Sequence, residues 1–96
     1  MGKAFIVSSY HESPQLERLA EYGGPARKAI EANGGRLLVR GLFAQIYEDG
    51  LSERTIIIEF ASVEQAMAAY ESPAYQAARK LLGPVSRDVR VVEQAD

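Results

Sequence analysis

The 96-residue chain contains no cysteine. This absence excludes disulfides, iron–sulfur clusters and thiol nucleophiles. The chain has one histidine, His11, and a metal site built on one histidine and scattered carboxylates would lack any established ligand spacing. It also lacks glycine-rich phosphate-binding motifs, a nucleophile elbow and a triad order. We therefore expect neither a metal nor a cofactor.

An excess of positive charge is also missing, because 11 Lys and Arg residues face 13 Asp and Glu residues, for a net charge of −2. Such a chain has no broad positive field, so nucleic acid and anionic membranes are not expected partners. Long apolar runs are absent too. The N-terminal run breaks at Ser8, too early for a signal peptide or a membrane span. These features favour a cytoplasmic protein.

The length allows one domain, residues 1–96. Four segments rich in β-branched and aromatic residues predict strands, at residues 5–10, 36–40, 55–60 and 89–93. Between the first two, Ser13 and Pro14 have the chemistry of a helix start. Apolar residues then recur at helical spacing as far as Ile30. Pro25 lies inside this pattern and predicts a kink or a break.

The remaining connections also carry local signals. Gly41 predicts a β-bulge before an extended segment at residues 44–48 and a turn at residues 48–50. Ser62 and Gln65 have the form of a capping box for a second helix. Ser72 and Pro73 restart that helix, and the Gly-Pro pair at residues 83–84 ends it.

The element order β-α-β-β-α-β predicts an α+β protein of ferredoxin-like topology, with a four-stranded antiparallel sheet and two helices on one face. Phe5 and Val7 oppose Ala4 and Ile6 in the first strand, and Leu37 and Val39 oppose Leu38 in the second, so both faces of the sheet are apolar. An antiparallel sheet with one wet face should alternate apolar and polar residues. We therefore expect a second copy of the chain to cover the open face, as a homodimer.

Three blocks of the sequence resemble the domain-of-unknown-function family 1330. They are GGRLLVRG at residues 34–41, IEFASVEQA at residues 58–66 and YESPAYQAA at residues 70–78. Tyr22 and Pro25 match a Tyr and a Pro usual in the family's first helix. Ala61 replaces the usual proline, Asp49-Gly50 or Glu48 stands for an acidic-Gly pair, and Arg79 corresponds to an arginine after the third block. The resemblance implies the dimeric α/β-barrel superfamily, in which two sheets face each other with helices outside.

Three residues are candidates for catalysis. His11 follows the first strand and could act as a general base; the alternative is an exposed loop histidine. Arg40 and Glu59 are charges in apolar runs, and buried charges are usually paired. They could pair with each other, at the dimer interface or within the protomer, or Arg40 could bind a ligand carboxylate. Arg36 could replace Arg40 in either role.

A second set of residues is suited to ligand binding: Tyr10, Tyr22, Arg40, Tyr70, Tyr75 and Arg79. An apolar pocket with a few hydroxyl groups suits small organic molecules. Tyrosines at helical spacing can equally be core residues with the hydroxyl at the edge.

Three functions remain open. The protein could bind a small aromatic or carboxylate metabolite in a sheet–helix pocket of each subunit. By analogy within the superfamily, it could be a cofactor-independent monooxygenase- or isomerase-like enzyme. It could also be a non-catalytic structural or stress-associated dimer. A cavity of roughly 300 Å³ or more lined by Tyr and Arg would favour the first two, and a filled layer the third.

Overall fold

The computed structural model describes residues 2–96, so Met1 of the expected domain lies outside the described residues. Four strands and three helices follow one another along this part of the chain. They are β1 Ala4–Tyr10, α1 Leu16–Ala32, β2 Arg36–Gly41, β3 Thr55–Phe60, α2 Val63–Glu71, α3 Pro73–Leu82 and β4 Arg87–Glu93.

The strands form one antiparallel sheet in the order β2-β3-β1-β4. This order, with helices between β1 and β2 and between β3 and β4, confirms the predicted α+β ferredoxin-like fold. The second helix of the prediction is two helices, α2 and α3, separated at Ser72 where the Ser-Pro pair predicted a restart.

One face of the sheet packs against the helices, and we call it the helix face. Along β1 the residues alternate between buried and half-buried, as the two-residue period of a strand requires. Ala4, Ile6 and Ser8 are buried on the helix face, and so is Tyr10. From the other side, α1 contributes Ala26, Ala29 and Ile30 to the core.

The start of α1 differs from the prediction. The helix begins at Leu16, its N-cap residue is Gln15, and no side chain caps it. Ser13, the predicted cap, donates instead to Glu53 Oε1 at 3.1 Å. One extended residue, Gln15, therefore separates the Ser-Pro pair from the helix.

Of the two outcomes predicted at Pro25, the break is wrong, because α1 runs through this residue as one element, and the kink stays a prediction. A proline removes one backbone donor but does not end a helix whose neighbouring turns are held by packing. Here Ala26, Ala29 and Ile30 follow Pro25 directly and are buried.

The caps of α2 and α3 are as predicted. Ser62 Oγ accepts from the backbone N–H of Gln65 at 3.1 Å, and Ser72 Oγ accepts from that of Tyr75 at 3.2 Å. Gly83 follows α3 with φ 75°, a conformation that side-chain-bearing residues rarely adopt. Its backbone N–H donates to Arg79 O.

The connection from β2 to β3 contains no strand, so the extended segment predicted at residues 44–48 is wrong. The predicted turn is present, with the Gly50 N–H donating to Tyr47 O at 3.0 Å. The bulge is not at Gly41, which pairs with Thr55 in regular register; the shift lies between Leu37 and Val39.

This bulge changes which way the second half of β2 faces. Leu37 pairs with Ile58 on the helix face, whereas Val39 pairs with Ile57 on the other face. The prediction that Leu37 and Val39 share a face is therefore wrong. Arg40 then pairs with Ile56 and lies on the helix face. Phe5, Val7, Val39, Ile57 and Val92 lie on the face without helices, which we call the open face.

Candidate functional site

The helix face of the sheet is the floor of a cavity. Since cross-strand partners share a face, the strand register arranges the floor in rows. One row is apolar, with Leu37, Ile58 and Ile6. The next row contains Arg40, Ile56, Ser8 and Val89. In the last row, Tyr10 pairs with Arg87, and the backbone N–H of Tyr10 donates to Arg54 O. The floor therefore changes from apolar to cationic along β1.

The helices provide the roof. α1 contributes Leu19, Tyr22, Ala26 and Ile30, and Tyr70 and Tyr75 come from α2 and α3. The cavity between floor and roof has a volume of about 290 Å³. This is close to the lower limit of roughly 300 Å³ for ligand pockets.

Arg87 and three tyrosines form a cluster at the cationic end of the cavity. Arg87 donates to the hydroxyl of Tyr10 at 3.3 Å and to that of Tyr75 at 3.1 Å. The Tyr22 and Tyr75 hydroxyl oxygens are 2.7 Å apart. The guanidinium carbon lies 5.5 Å from the centre of the Tyr10 ring and 5.8 Å from that of Tyr22, within reach of a cation–π interaction.

The cluster fixes the charge of its members. Burial, followed by the proximity of Tyr75, raises the pKa of Tyr22 far above its ordinary value of 10.0. Burial also raises the pKa of Tyr10, although Arg87 opposes the shift. Burial lowers the pKa of Arg87, but its contacts with Tyr75 and Tyr22 outweigh this effect and raise it overall. At neutral pH the phenols of Tyr10 and Tyr22 therefore keep their protons and carry no charge to balance that of Arg87.

Ser8 lies in the floor of the same cavity. It is 4% exposed, and its hydroxyl has no hydrogen-bond partner among the described residues. Buried hydroxyl groups are nearly always hydrogen-bonded, so this one is an exception in the protein.

Five of the residues predicted for ligand binding line the cavity: Tyr10, Tyr22, Arg40, Tyr70 and Tyr75. The rings of Tyr70 and Tyr75 pack at 5.1 Å between centres, and those of Tyr22 and Tyr75 meet edge to face at 6.2 Å. The sixth predicted residue, Arg79, is exposed on α3, where its Nε donates to Gln76 Oε1 at 2.9 Å.

The candidates for catalysis are not brought together. His11 is exposed in the connection from β1 to α1. Its Nδ1 lies 3.0 Å from Oγ of Ser86, which precedes β4. Glu59 faces away from the cavity and pairs with Lys3 at 3.3 Å. Arg40 faces the cavity, and the β2 residue that pairs with Glu59 is Arg36. The pairing of Arg40 with Glu59 within the protomer, which the sequence left open, therefore does not form.

Sequence reasoning did not identify Arg87, Arg54 or Ser8 as site residues. Arg87 lies just before the strand predicted at residues 89–93, and no local pattern distinguishes it from other surface arginines. The signal for Ser8 was its position, since a serine alternates with Ile6 and Tyr10 on a face that is otherwise apolar or aromatic.

Two searches over residues 2–96 complete the description. No helix in this range is long and apolar enough to cross a membrane. In the same range, no group of three or more histidine or acidic side chains is placed to hold a metal ion.

The four-stranded sheet, the helices on one of its faces and the cavity between them define a ferredoxin-like α+β protein. The chain belongs to the family described as domain of unknown function DUF1330, whose family model matches residues 3–95. No match to a curated protein was found.

Solved structures with the same fold include proteins with and without a described activity. A protein of unknown function from Rhodopseudomonas palustris has 18% identity and a TM-score of 0.73, covering 99% of this chain and 84% of that chain. A dimeric ferredoxin-like protein of unknown function from Thermobifida fusca has 10% identity and a TM-score of 0.66, covering 97% and 92%. SnoaB, a cofactor-independent oxygenase from Streptomyces nogalater, has 10% identity and a TM-score of 0.65, covering 100% and 96%. At these identities the likeness shows the fold.

Proposed function

We propose that this protein is a homodimer that binds a small organic metabolite, aromatic or carboxylate, in the cavity of each protomer. The observation that carries the proposal is the cavity of about 290 Å³. Its walls are apolar, and the arginine–tyrosine cluster converges at one end. A few directed polar groups in an apolar cleft are typical of sites for small organic ligands.

The open face supports the homodimer. Val39 and Val92 are each 43% exposed there, and Phe5, Val7 and Ile57 are half-buried. The protein is only 17 Å thick along its shortest axis, so one layer of helices covers one face of the sheet. At about 25 cal/mol per Å² of apolar surface, pairing two open faces would add substantially to the stability of so small a chain. The Thermobifida fusca protein of the same fold is described as dimeric.

Binding without turnover is better supported than catalysis. The oxygenase- and isomerase-like alternatives need a group that accepts a proton from the substrate. Among the described residues that line the cavity, the one carboxylate is Glu31, and it is paired with Arg27 at 3.1 Å. His11 is not among the lining residues. A purely structural dimer, in turn, gives no reason for an unfilled layer between sheet and helices.

Two neighbouring glycines of α1 allow a controlled test. Gly23 lines the cavity and Gly24 does not, and a Cβ at either position would meet open space. Leucine at either position also improves helix propensity by a similar amount. Gly23→Leu should therefore fill the cavity mouth, and Gly24→Leu serves as its matched control.

The measurement is a thermal-shift screen with small aromatic and carboxylate metabolites on the wild type and both variants. We expect at least one compound to raise the melting temperature of the wild type and of Gly24→Leu but not of Gly23→Leu. If active compounds stabilise both variants equally, they bind outside the cavity. If the wild type responds to none at millimolar concentration, the proposal is wrong.

A further inference from the structure

The cavity has an unbalanced positive charge. Of the residues that the structure describes, four arginines line it, Arg27, Arg40, Arg54 and Arg87, against the single carboxylate of Glu31. Glu31 is paired with Arg27. Within residues 2–96, no ion pair involves the other three arginines.

Arg87 is the best placed of these cations to contact a ligand. It is half-buried, and its hydrogen bonds go to the neutral hydroxyl groups of Tyr10 and Tyr75. Charged groups taken out of water are usually paired with an opposite charge. The two phenols leave other guanidinium N–H groups available, and a carboxylate can accept two of them in parallel.

Ser8 supplies a second and independent observation. Ser8 lines the cavity floor, and its hydroxyl is buried without a hydrogen-bond partner in the described part of the chain. Ser8 and Tyr10 are two residues apart on one strand face, so their rows are separated by about 7 Å. The row of Ser8 therefore lies between the row of Tyr10 and Arg87 and the apolar row of Ile6 and Ile58.

We infer that the ligand is an apolar monocarboxylic acid with one further hydroxyl or oxo group. Its carboxylate binds Arg87, its second oxygen hydrogen-bonds Ser8, and its apolar body packs on Ile6, Ile56 and Ile58. This inference rests on the proposed function, because it assumes that the cavity is a ligand site, and it specifies the chemistry that the site selects.

Four related probes separate the two contacts: benzamide, benzoate, 3-hydroxybenzoate and 4-hydroxybenzoate. Benzamide keeps the shape of benzoate and lacks its charge. We expect isothermal titration calorimetry to show benzoate binding roughly ten- to a hundredfold tighter than benzamide, the range of a charged hydrogen bond. One of the hydroxybenzoates should gain a further factor of about three to ten over benzoate.

The variants assign each gain to a residue. Arg87→Met should remove the preference for benzoate over benzamide, and Arg87→Lys should retain part of it as a check on folding. Ser8→Ala should remove the gain from the hydroxyl group, so that neither hydroxybenzoate binds this variant more tightly than benzoate does. Ser9→Ala is its matched control, because Ser9 pairs with Thr55 on the opposite face of the sheet.

Each outcome decides between the two proposals. If benzamide binds the wild type as tightly as benzoate, or if Arg87→Met keeps the preference, the carboxylate assignment is wrong while the cavity remains a ligand site. If Ser8→Ala keeps the hydroxyl gain, the Ser8 contact is wrong. If none of the four probes binds and the wider screen also finds nothing, the proposed function fails together with this inference.

Discussion

Removal of the Ser8 hydroxyl, which has no hydrogen-bond partner among the described residues, should stabilise the ligand-free protein. Ser8 is 4% exposed, and its Oγ has no hydrogen-bond partner among the described residues. A buried polar group in this state costs about 1–3 kcal/mol relative to a solvated one. Ser8→Ala removes that cost and loses only the few contacts of a single oxygen atom.

Taking the lower end of that range, we expect Ser8→Ala to raise the free energy of unfolding by about 1 kcal/mol. For a chain of this size the melting temperature should rise by about 4 °C. The assay is urea unfolding followed by circular dichroism, at one fixed protomer concentration because a dimer's stability depends on it. Ser9→Ala, on the open face, should change the free energy by less than about 0.5 kcal/mol.

The first of two results would refute this stability argument, and the second would exclude Ser8 from the ligand site. If Ser8→Ala destabilises the protein more than Ser9→Ala does, the Ser8 hydroxyl makes a stabilising bond in the native protein. If Ser8→Ala is stabilised but binds every ligand as the wild type does, the hydroxyl is a packing defect and not part of the site.

Three further predictions concern the interface, the tyrosine cluster and the helix caps. Ile57→Lys places a charge between Val7 and Val39 on the open face. It should raise the dissociation constant of the proposed dimer at least about a hundredfold, as measured by sedimentation velocity. The exposed-site control Leu16→Lys should remain dimeric, and an Ile57→Lys dimer of unchanged affinity would exclude this interface. Because burial raises the pKa of Tyr22 above 10.0, the unfolded chain loses that proton first. The stability that Tyr22 contributes is therefore fully present well below pH 10.0 and is lost progressively as the pH rises through that value. Tyr22→Phe should make the fall of the urea unfolding midpoint between pH 9 and 11 shallower than in the wild type. If the midpoints of the two proteins fall in parallel, the raised pKa of Tyr22 is contradicted. Ser72→Ala should lower the free energy of unfolding in urea by about 1 kcal/mol, because the Ser72 hydroxyl accepts from the Tyr75 N–H and donates to Ala69 O. Ser13→Ala should lower it much less, because Ser13 is not the N-cap of α1. Equal losses would contradict the observed helix start.

Much of the fold could be predicted because its signals are local. The strand at Thr55–Phe60 was predicted at its observed bounds, since a run of β-branched residues specifies a strand by itself. The caps at Ser62 and Ser72 are likewise local, each spanning four residues. The ferredoxin-like topology follows from element order and the preference for right-handed crossovers.

The errors in the fold have non-local causes. Pro25 did not break α1, because the packing of later turns onto the sheet outweighs a local propensity. The bulge between Leu37 and Val39 depends on how β2 pairs with β3, and the glycine at residue 41 was a misleading sign. That one shift placed Arg40 on the helix face.

The candidate site was partly predictable for the same reason. Tyr10, Tyr22, Tyr70 and Tyr75 have positions on strand and helix faces that periodicity reveals, and all four line the cavity. Arg87 could not be found, because its role depends on three tyrosines from other elements. The missing partner of Ser8 is a property of the packed protein and has no counterpart in the sequence.

The central claim is that the space between sheet and helices is a ligand site, and the isoleucines report on it directly. Ile6, Ile30, Ile56 and Ile58 line the cavity, whereas Ile57 lies on the open face and Ile46 in the β2–β3 connection. In a protein with labelled isoleucine δ1-methyl groups, titration with benzoate should shift the first four methyl resonances and leave those of Ile57 and Ile46 in place. Saturable shifts at Ile57 or Ile46, with the four cavity methyls unmoved, would contradict the claim.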